Sequence, residues 1–364
     1  MSLVLTRTQN MRANANFDKY ERRGSRYGAL DLFVEQSNEA GGILSDDLKE
    51  KARLSIGSVL ETPVIDYDGD ISIGQTRDVL IPDSENTSRM VQISFTTYSW
   101  GFTITPAMYM NNEIKLQKDW EAKMLKYIYK FASLLDTDAL AKLELEKSQV
   151  VNNPLLYTVG ADNTVMATFP QREDLMGDLN AIMAANDYFG GYAIVGDAGT
   201  QSLLSKLKQN DLYNAVNKRN EWADKVIHIS NNFTYGADED VYTKGYIVNR
   251  GSVGMLLRYE RDCILRTRSR DGHEWDIVNL PIVNIPVGTY FYDSVGNYSS
   301  IAGEATADMT RTRKEHYGFA VDVAFVTAYN SDPEHRPSPI LAYAVDKSKD
   351  AIYAKNVLAY TPEE

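Results

Sequence analysis

The chain has 364 residues, 43% of them apolar and 24% charged, and a net charge of −12. That is enough for a sizeable core and for two or three domains, while the acidic whole argues against general nucleic-acid binding. A single cysteine, Cys263, excludes an intrachain disulfide framework and any Cys-based metal cage.

No apolar run reaches the roughly 18–20 residues that a bilayer-spanning helix needs. The opening MSLVLTRTQNMRANANF holds only a short apolar stretch, too little for a signal-peptide core. A cytoplasmic protein without a membrane partner is the expectation. Residues 1–44 are polar and asparagine-rich, and read as an extended or partly ordered arm. The first thirty carry Arg7, Arg12, Lys19, Arg22, Arg23 and Arg26 against Asp18 and Glu21. A basic arm in front of an acidic body is either a solvated tail or a segment that touches nucleic acid or an acidic neighbour.

SDDLKEKARLSI (45–56) predicts a short helix with Ser45 as N-cap and Asp46 and Asp47 in the favourable first turn. ETPVIDYDGDISIGQTRDVLIP then alternates loosely, carries turn signals and is polar on both faces, so it predicts a long hairpin without a core of its own. SRMVQISFTTYSWGFTITP (88–106) is richer in β-branched and aromatic residues and predicts a strand pair.

Residues 119–150 contain no glycine or proline. Trp120, Met124, Tyr127, Ile128, Phe131, Leu134, Leu135, Leu140 and Leu143 fall at steps of three and four, which gathers them on one helical stripe. Begun at Asn112, such a helix runs roughly 50 Å at 1.5 Å per residue, longer than a compact domain is wide.

A polar connector (150–170) leads to an α/β stretch: a helix over 169–186, a buried strand over 190–196 behind a double glycine, and a helix over 198–211 with Thr200 as N-cap. Strands follow at 225–230, 243–250 and 263–269, with SVGMLLR as a helix between the last two. Cys263, in the strand-like RYERDCILRTR, reads as a small buried residue. WDIVNLPIVNIPVGTYFYD (275–293) is β with edge prolines. HYGFAVDVAFVTAYN (316–330) is a strong strand, and AIYAKNVLAY (351–360) is strand-like.

Chemistry-bearing motifs are weak. The glycines of GYAIVG (191–196) have phosphate-loop spacing but continue Asp-Ala where a lysine is needed. DYDGDISIGQTR places Asp66, Asp68 and Asp70 like calcium-loop ligands, yet Ile71 stands at the glycine position and Arg77 at the bidentate-glutamate position. A β-turn with solvated acids is the plainer reading. His228, His273, His316 and His335 lie in separate segments with no metal-type spacing, and GxSxG is absent. No catalytic residue, cofactor or metal site emerges. The three N-x-S/T sequons at Asn86, Asn232 and Asn297 are read as coincidence.

The order of elements is more telling. WGFTITPAMYMNNEIKLQKDWEAKMLKYIYKFASLLDTDALAKL (100–143), with Asp138-Ala139-Leu140 near the helix end, resembles the strand-to-spine passage of HK97-type major capsid proteins of tailed bacteriophages. GYAIVGDAGTQSLLSKLKQNDLY (191–213) and GYIVNRGSVGMLLR (245–258) resemble segments of that family's axial domain. The resemblance covers roughly 1–330 and implies an α+β fold. It would comprise an N-terminal arm with a short helix (1–61), an extended β-hairpin loop (62–95) and a peripheral domain (96–170) with a spine helix over 112–148. An α/β axial domain (171–290), a return to the peripheral domain (291–330) and a C-terminal extension (331–364) would follow. It implies a structural, non-enzymatic protein that assembles as hexamers and pentamers into an icosahedral virion shell around double-stranded DNA, built in the host cytoplasm. Portal, scaffold or decoration proteins would be partners. Arg77 and Arg89 of the loop would face Glu113, Asp119 or Glu121 on a neighbour's spine, and the basic arm would face DNA. An encapsulin-type shell subunit, and an α/β enzyme with a site near the double glycine at 190–191, remain alternatives.

Overall fold

The computed structural model describes residues 3–13, 27–39, 42–55, 59–65, 88–109, 112–147, 155–160, 162–188, 190–204, 226–235, 241–269, 271–297, 311–328 and 338–347. The fold is α+β. In chain order come helices α1 (Leu3–Ala13), α2 (Gly28–Gln36) and α3 (Asp46–Leu54), strands β1 (Val59–Ile65), β2 (Ser88–Ser94) and β3 (Thr96–Ile104), and helix α4 (Glu113–Leu145). Next are β4 (Thr158–Val159), β5 (Thr164–Ala167), helix α5 (Arg172–Ala185), β6 (Tyr192–Gly196), β7 (Val226–Ile229), β8 (Val241–Asn249) and β9 (Val253–Arg258). Helix α6 (Arg261–Leu265) and strands β10 (Glu274–Asn279), β11 (Pro286–Asn297), β12 (Arg311–Thr327) and β13 (Ile340–Asp346) complete it.

The long helix α4 spans 33 residues. Asn112 caps it, accepting from the Lys115 N–H at 3.1 Å. Its buried stripe runs Leu116, Trp120, Met124, Ile128, Phe131, Leu135, Ala139 and Leu143. This stripe lies on a five-stranded sheet in which β10, β11, β12 and β3 are neighbours and β9 pairs with the far end of β12. Aromatic rings fill the interface: Trp100 lies 4.8 Å from Phe131, and Trp120 packs edge-on to Phe102 and Tyr317. Two expected stripe members differ. Leu134 is exposed, and Tyr127 is half-buried, stacked on Phe102 at the margin.

A six-stranded sheet, ordered β4-β5-β13-β8-β6-β7, forms the second layer. Its central strands are covered on both faces, and β6 (YAIVG) and β13 (ILAYAVD) read as nearly continuous apolar runs. Ala193, Val195, Tyr246 and Val248 face the core shared with α4, while Ile194, Ile247, Leu341 and Tyr343 face α5 through Leu175, Leu179 and Ile182.

Several expectations are corrected here. SVGMLLR is strand β9, not a helix: it pairs along β12 from Val253↔Thr327 to Arg258↔Asp322. The segment after it is helix α6, closed by Arg266 in the left-handed conformation at φ 51°, and Cys263 is buried on it. Thr200 does not cap the helical residues 198–204; Asp197 does, accepting from the Thr200 N–H at 2.8 Å. The proposed division at 290 does not match the strand pairing. Strands β9, β10 and β11, the first two and the start of the third lying before that division, belong to the sheet under α4, so the chain leaves the second sheet after β8. Strands β4 and β5, assigned to the first unit, and β13, assigned to an appended tail, are members of the second sheet.

The N-terminal segment is not simply extended, because α1 and α2 are both helices with buried faces. The expected cap at Ser45 is present on α3, which accepts from the Leu48 N–H. Strands β1 and β2 form a two-stranded antiparallel ladder from Val59↔Ser94 to Ile65↔Ser88. At its base Leu60 and Ile93 are buried with Ala52, Leu256 and Ala324, so the hairpin has a small foothold on its own body. The expected calcium-like turn, with Asp66, Asp68, Asp70 and Arg77, and the strand at 351–360 lie outside the described residues.

Candidate assembly surfaces

Two grooves flank the long helix. The first lies at its N-terminal end. Glu113, Ile114, Gln117, Lys118 and Glu121 recur at spacings that put them on one helical face, and with α1 they line a groove of about 670 Å³. Ile114 is 70% exposed there and Met108, in the turn before the helix, 78%. Of the acids expected to meet a neighbour, the structure brings Glu113 and Glu121 into this groove. Glu121 accepts from Gln117 Nε2 at 3.0 Å. Asp119 lies on a different face and is engaged within the chain, by Lys123 Nζ at 2.8 Å and the Tyr109 hydroxyl at 2.6 Å. Against the desolvation that would raise it, these bonds hold its carboxyl below the usual carboxylate range, and the hydrogen bond to Asp119 pushes the Tyr109 phenol up to about 12.

The basic residues are redistributed. Arg7 is 6% exposed and pairs with Glu315 at 3.2 Å, also donating to Gln117 Oε1. The Tyr317 hydroxyl donates to the same Glu315 carboxylate at 2.6 Å. Arg7 thus fastens α1 to the sheet and to the head of the long helix, and it is not a surface contact for a polyanion. Arg12 is exposed and donates to the Asn279 carbonyl oxygen at 3.2 Å. The backbone of Arg89 pairs with Val64 in the hairpin ladder. Arg77, Lys19, Arg22, Arg23 and Arg26 lie outside the described residues.

The second groove, about 860 Å³, runs between the hairpin base, the C-terminal half of α4 and the end of β12. Ile93, Tyr98, Asp138, Leu145 and Phe325 line it, and Leu145 is 72% exposed. Beyond it the end of α4 is fastened to the second sheet. Lys147 Nζ is buried, donating to Glu144 at 2.8 Å, Asp162 at 3.2 Å and Thr164 Oγ1 at 3.2 Å, and the Tyr246 hydroxyl donates to Glu144 at 2.6 Å.

Sequence reasoning missed Asp136. It is fully buried on the apolar stripe and accepts from the Leu30 N–H at 3.0 Å, from Asn232 Nδ2 at 2.9 Å and from Ser230 Oγ. The signal was available: it falls four residues after Ala132 and four before Leu140, an acid at an apolar position.

The chemical alternatives gain little. Among the described residues no group of three or more His, Cys, Asp or Glu is placed to hold a metal. His316 Nε2 lies 2.7 Å from Ser294 Oγ, but its other ring nitrogen meets the Thr103 hydroxyl and not an orienting carboxylate. Gly190 takes φ 137°, and a Cβ on Gly191 would stand 2.8 Å from Arg250 Cδ, so this pair serves a turn and a close approach.

No protein-family model matches the chain, and no curated protein matches it significantly. Among solved structures it is similar to a Cyanophage Pam1 capsid asymmetric unit, at 12% identity over 83% of this chain and 88% of that one, TM-score 0.46. A chain from Mycobacterium phage Che8 is 11% identical over 81% and 87%, TM-score 0.43, and the capsid of an empty GTA particle 11% over 85% and 99%, TM-score 0.41. At such identities no residue role transfers to this chain.

Proposed function

We propose that the chain is a structural shell subunit of the HK97 type, a major capsid protein that packs as hexamers and pentamers into an icosahedral shell around double-stranded DNA. The observation that carries this reading is the β1–β2 ladder, which among the described residues pairs with no third strand and meets the body near its base, where Leu60 and Ile93 are buried. An isolated two-stranded hairpin is marginally stable in water. One that extends from a body needs another surface to bury against, and in a homomeric shell a neighbouring copy supplies it. The groove at the head of α4 is the receiving surface in this reading. Its Glu113 and Glu121 accept Arg77 and Arg89 of the neighbour's hairpin and set register and association rate more than affinity. Asp119 drops out, having two partners of its own.

The DNA-facing set is Arg12, Lys19, Arg22, Arg23 and Arg26, without Arg7. Such contacts are non-specific and salt-dependent. The subunit works in the virion after assembly in the host cytoplasm, with portal, scaffold or decoration proteins as further partners. The test is to replace 66–87 by a two-residue turn. Folded subunits that form no closed shells by electron microscopy are expected; closed shells at the yield of the intact chain contradict the role given to the hairpin.

A further inference from the structure

The second groove, between the hairpin base and the C-terminal half of α4, has the end of β12 along its floor. Strand β12 pairs with β3 along one edge only as far as Val323↔Thr96, while along its other edge β9 follows it to Thr327↔Val253. The Ala328 N–H, just past the strand, turns to the β9 side and donates to the Ser252 carbonyl oxygen at 2.7 Å. Successive residues of a strand direct their N–H and C=O to alternate edges. Phe325 and Thr327 therefore direct theirs to the opposite side, into the groove, where β2 has turned away into the hairpin. Among the described residues no strand pairs with them there.

An open edge of this kind is a template for an added strand. The walls suit an apolar one: Ala141 and the exposed Leu145 of α4 on one side, Ile93 of the hairpin base on the other. The charges in the walls are engaged within the chain, Lys142 with Glu146 at 2.6 Å, Lys147 with Glu144 and Asp162, and Asp138 with the Tyr98 hydroxyl. Beyond β13 the sequence continues into the strand-like AIYAKNVLAY (351–360), which has no glycine or proline and one charge, Lys355. At a period of two, Ile352, Ala354, Leu358 and Tyr360 share one face, and Lys355 falls on the other.

We propose that residues 351–360 of a neighbouring copy add as a strand to the open edge of β12, with the Leu358 face toward Ala141 and Leu145, so that copies are tied together by an exchanged strand. The reach of the chain decides which copy supplies it. Ser338, just before β13, lines the groove, whereas Lys347 lies past the other end of that strand. From Ile340 to Asp346 the strand alone covers roughly 20 Å at about 3.3 Å per residue. The step from Lys347 to Ala351 then covers at most roughly 14 Å. Turned back along its own subunit, the segment would begin short of the groove, and only its far end would enter. A segment from another copy is free of that limit.

Disulfide trapping in the full chain tests this, and the one native cysteine, Cys263, is buried and does not interfere. Leu145→Cys and Leu358→Cys are placed in two co-expressed chains that differ in tag length, and the purified material is oxidised. A disulfide needs Cα atoms within roughly 7 Å, so a linked pair of one chain of each kind is expected, about tenfold more abundant than for Ile114→Cys with Leu358→Cys. Ile114 is as exposed as Leu145 but lies in the groove at the other end of α4, which makes it the control. No preference for position 145 overturns the proposal. So does a disulfide that closes within single chains carrying both Leu145→Cys and Leu358→Cys, diluted in excess wild type. The neighbouring copy rests on the shell-subunit reading, and electron microscopy of the same sample separates the two: shells without the link overturn the exchanged strand alone, whereas unassembled chains overturn both.

Discussion

Arg7 is the residue at which charge counting and structure part most clearly. Its place among six basic residues near the N-terminus suggests a solvated arm, but the Arg7–Glu315 pair closes across 308 positions of sequence. Nothing local announces such a partner. If the pair fixes α1 to the sheet, Arg7→Ala should destabilise the subunit by about 3 kcal/mol, as expected when one member of a buried pair is removed. Tyr317 and Arg313 remain near Glu315 and moderate the loss. Chemical denaturation of wild type and variant checks this; equal midpoints would return Arg7 to the solvated arm. Helix caps were more legible. Ser45, expected as a cap, and Asn112, expected only as the start of the long helix, both act through backbone groups three residues away, so local sequence suffices. Asp197 caps in place of Thr200 because the helix begins at Ala198, as its expected span does, which puts Asp197 at the position just before it.

At the scale of elements, the long helix was readable because its apolar stripe repeats over nine turns, enough to average out single exceptions such as Leu134. SVGMLLR and CILRTR were too short for periodicity to separate strand from helix. Their states are set from outside, by the long strand β12 for the first and by the left-handed turn at Arg266 for the second. The stripe makes a contrast that can be measured. Trp120 is fully buried against Phe102 and Tyr317, and Trp120→Ala should cost about 3–5 kcal/mol. Leu134 is half exposed on the other side, and Leu134→Ala should stay within about 0.5 kcal/mol, as a surface change does. Comparable costs at both positions would mean that the helix is buried on both faces in the free subunit.

For the whole molecule, the succession of arm, hairpin, strand, long helix and α/β block was legible, whereas the partition into layers was not. The five-stranded sheet takes strands from residues 96–104, 253–258, 274–297 and 311–327, and the six-stranded sheet takes its third strand from 340–346. Pairings this distant leave no mark on local pattern, and β9 continues directly from β8 into another sheet. The grooves likewise join residues remote in sequence, so Glu113 and Glu121 were identifiable by type but not as a pair facing α1. The central claim is that this molecule is complete only as one tile among copies of itself. Negative-stain electron microscopy of the purified full-length chain tests it most directly. Ring-shaped capsomers or closed shells of megadalton size are the predicted result; a uniform population of monomers or dimers, unchanged at high protein concentration, would contradict it.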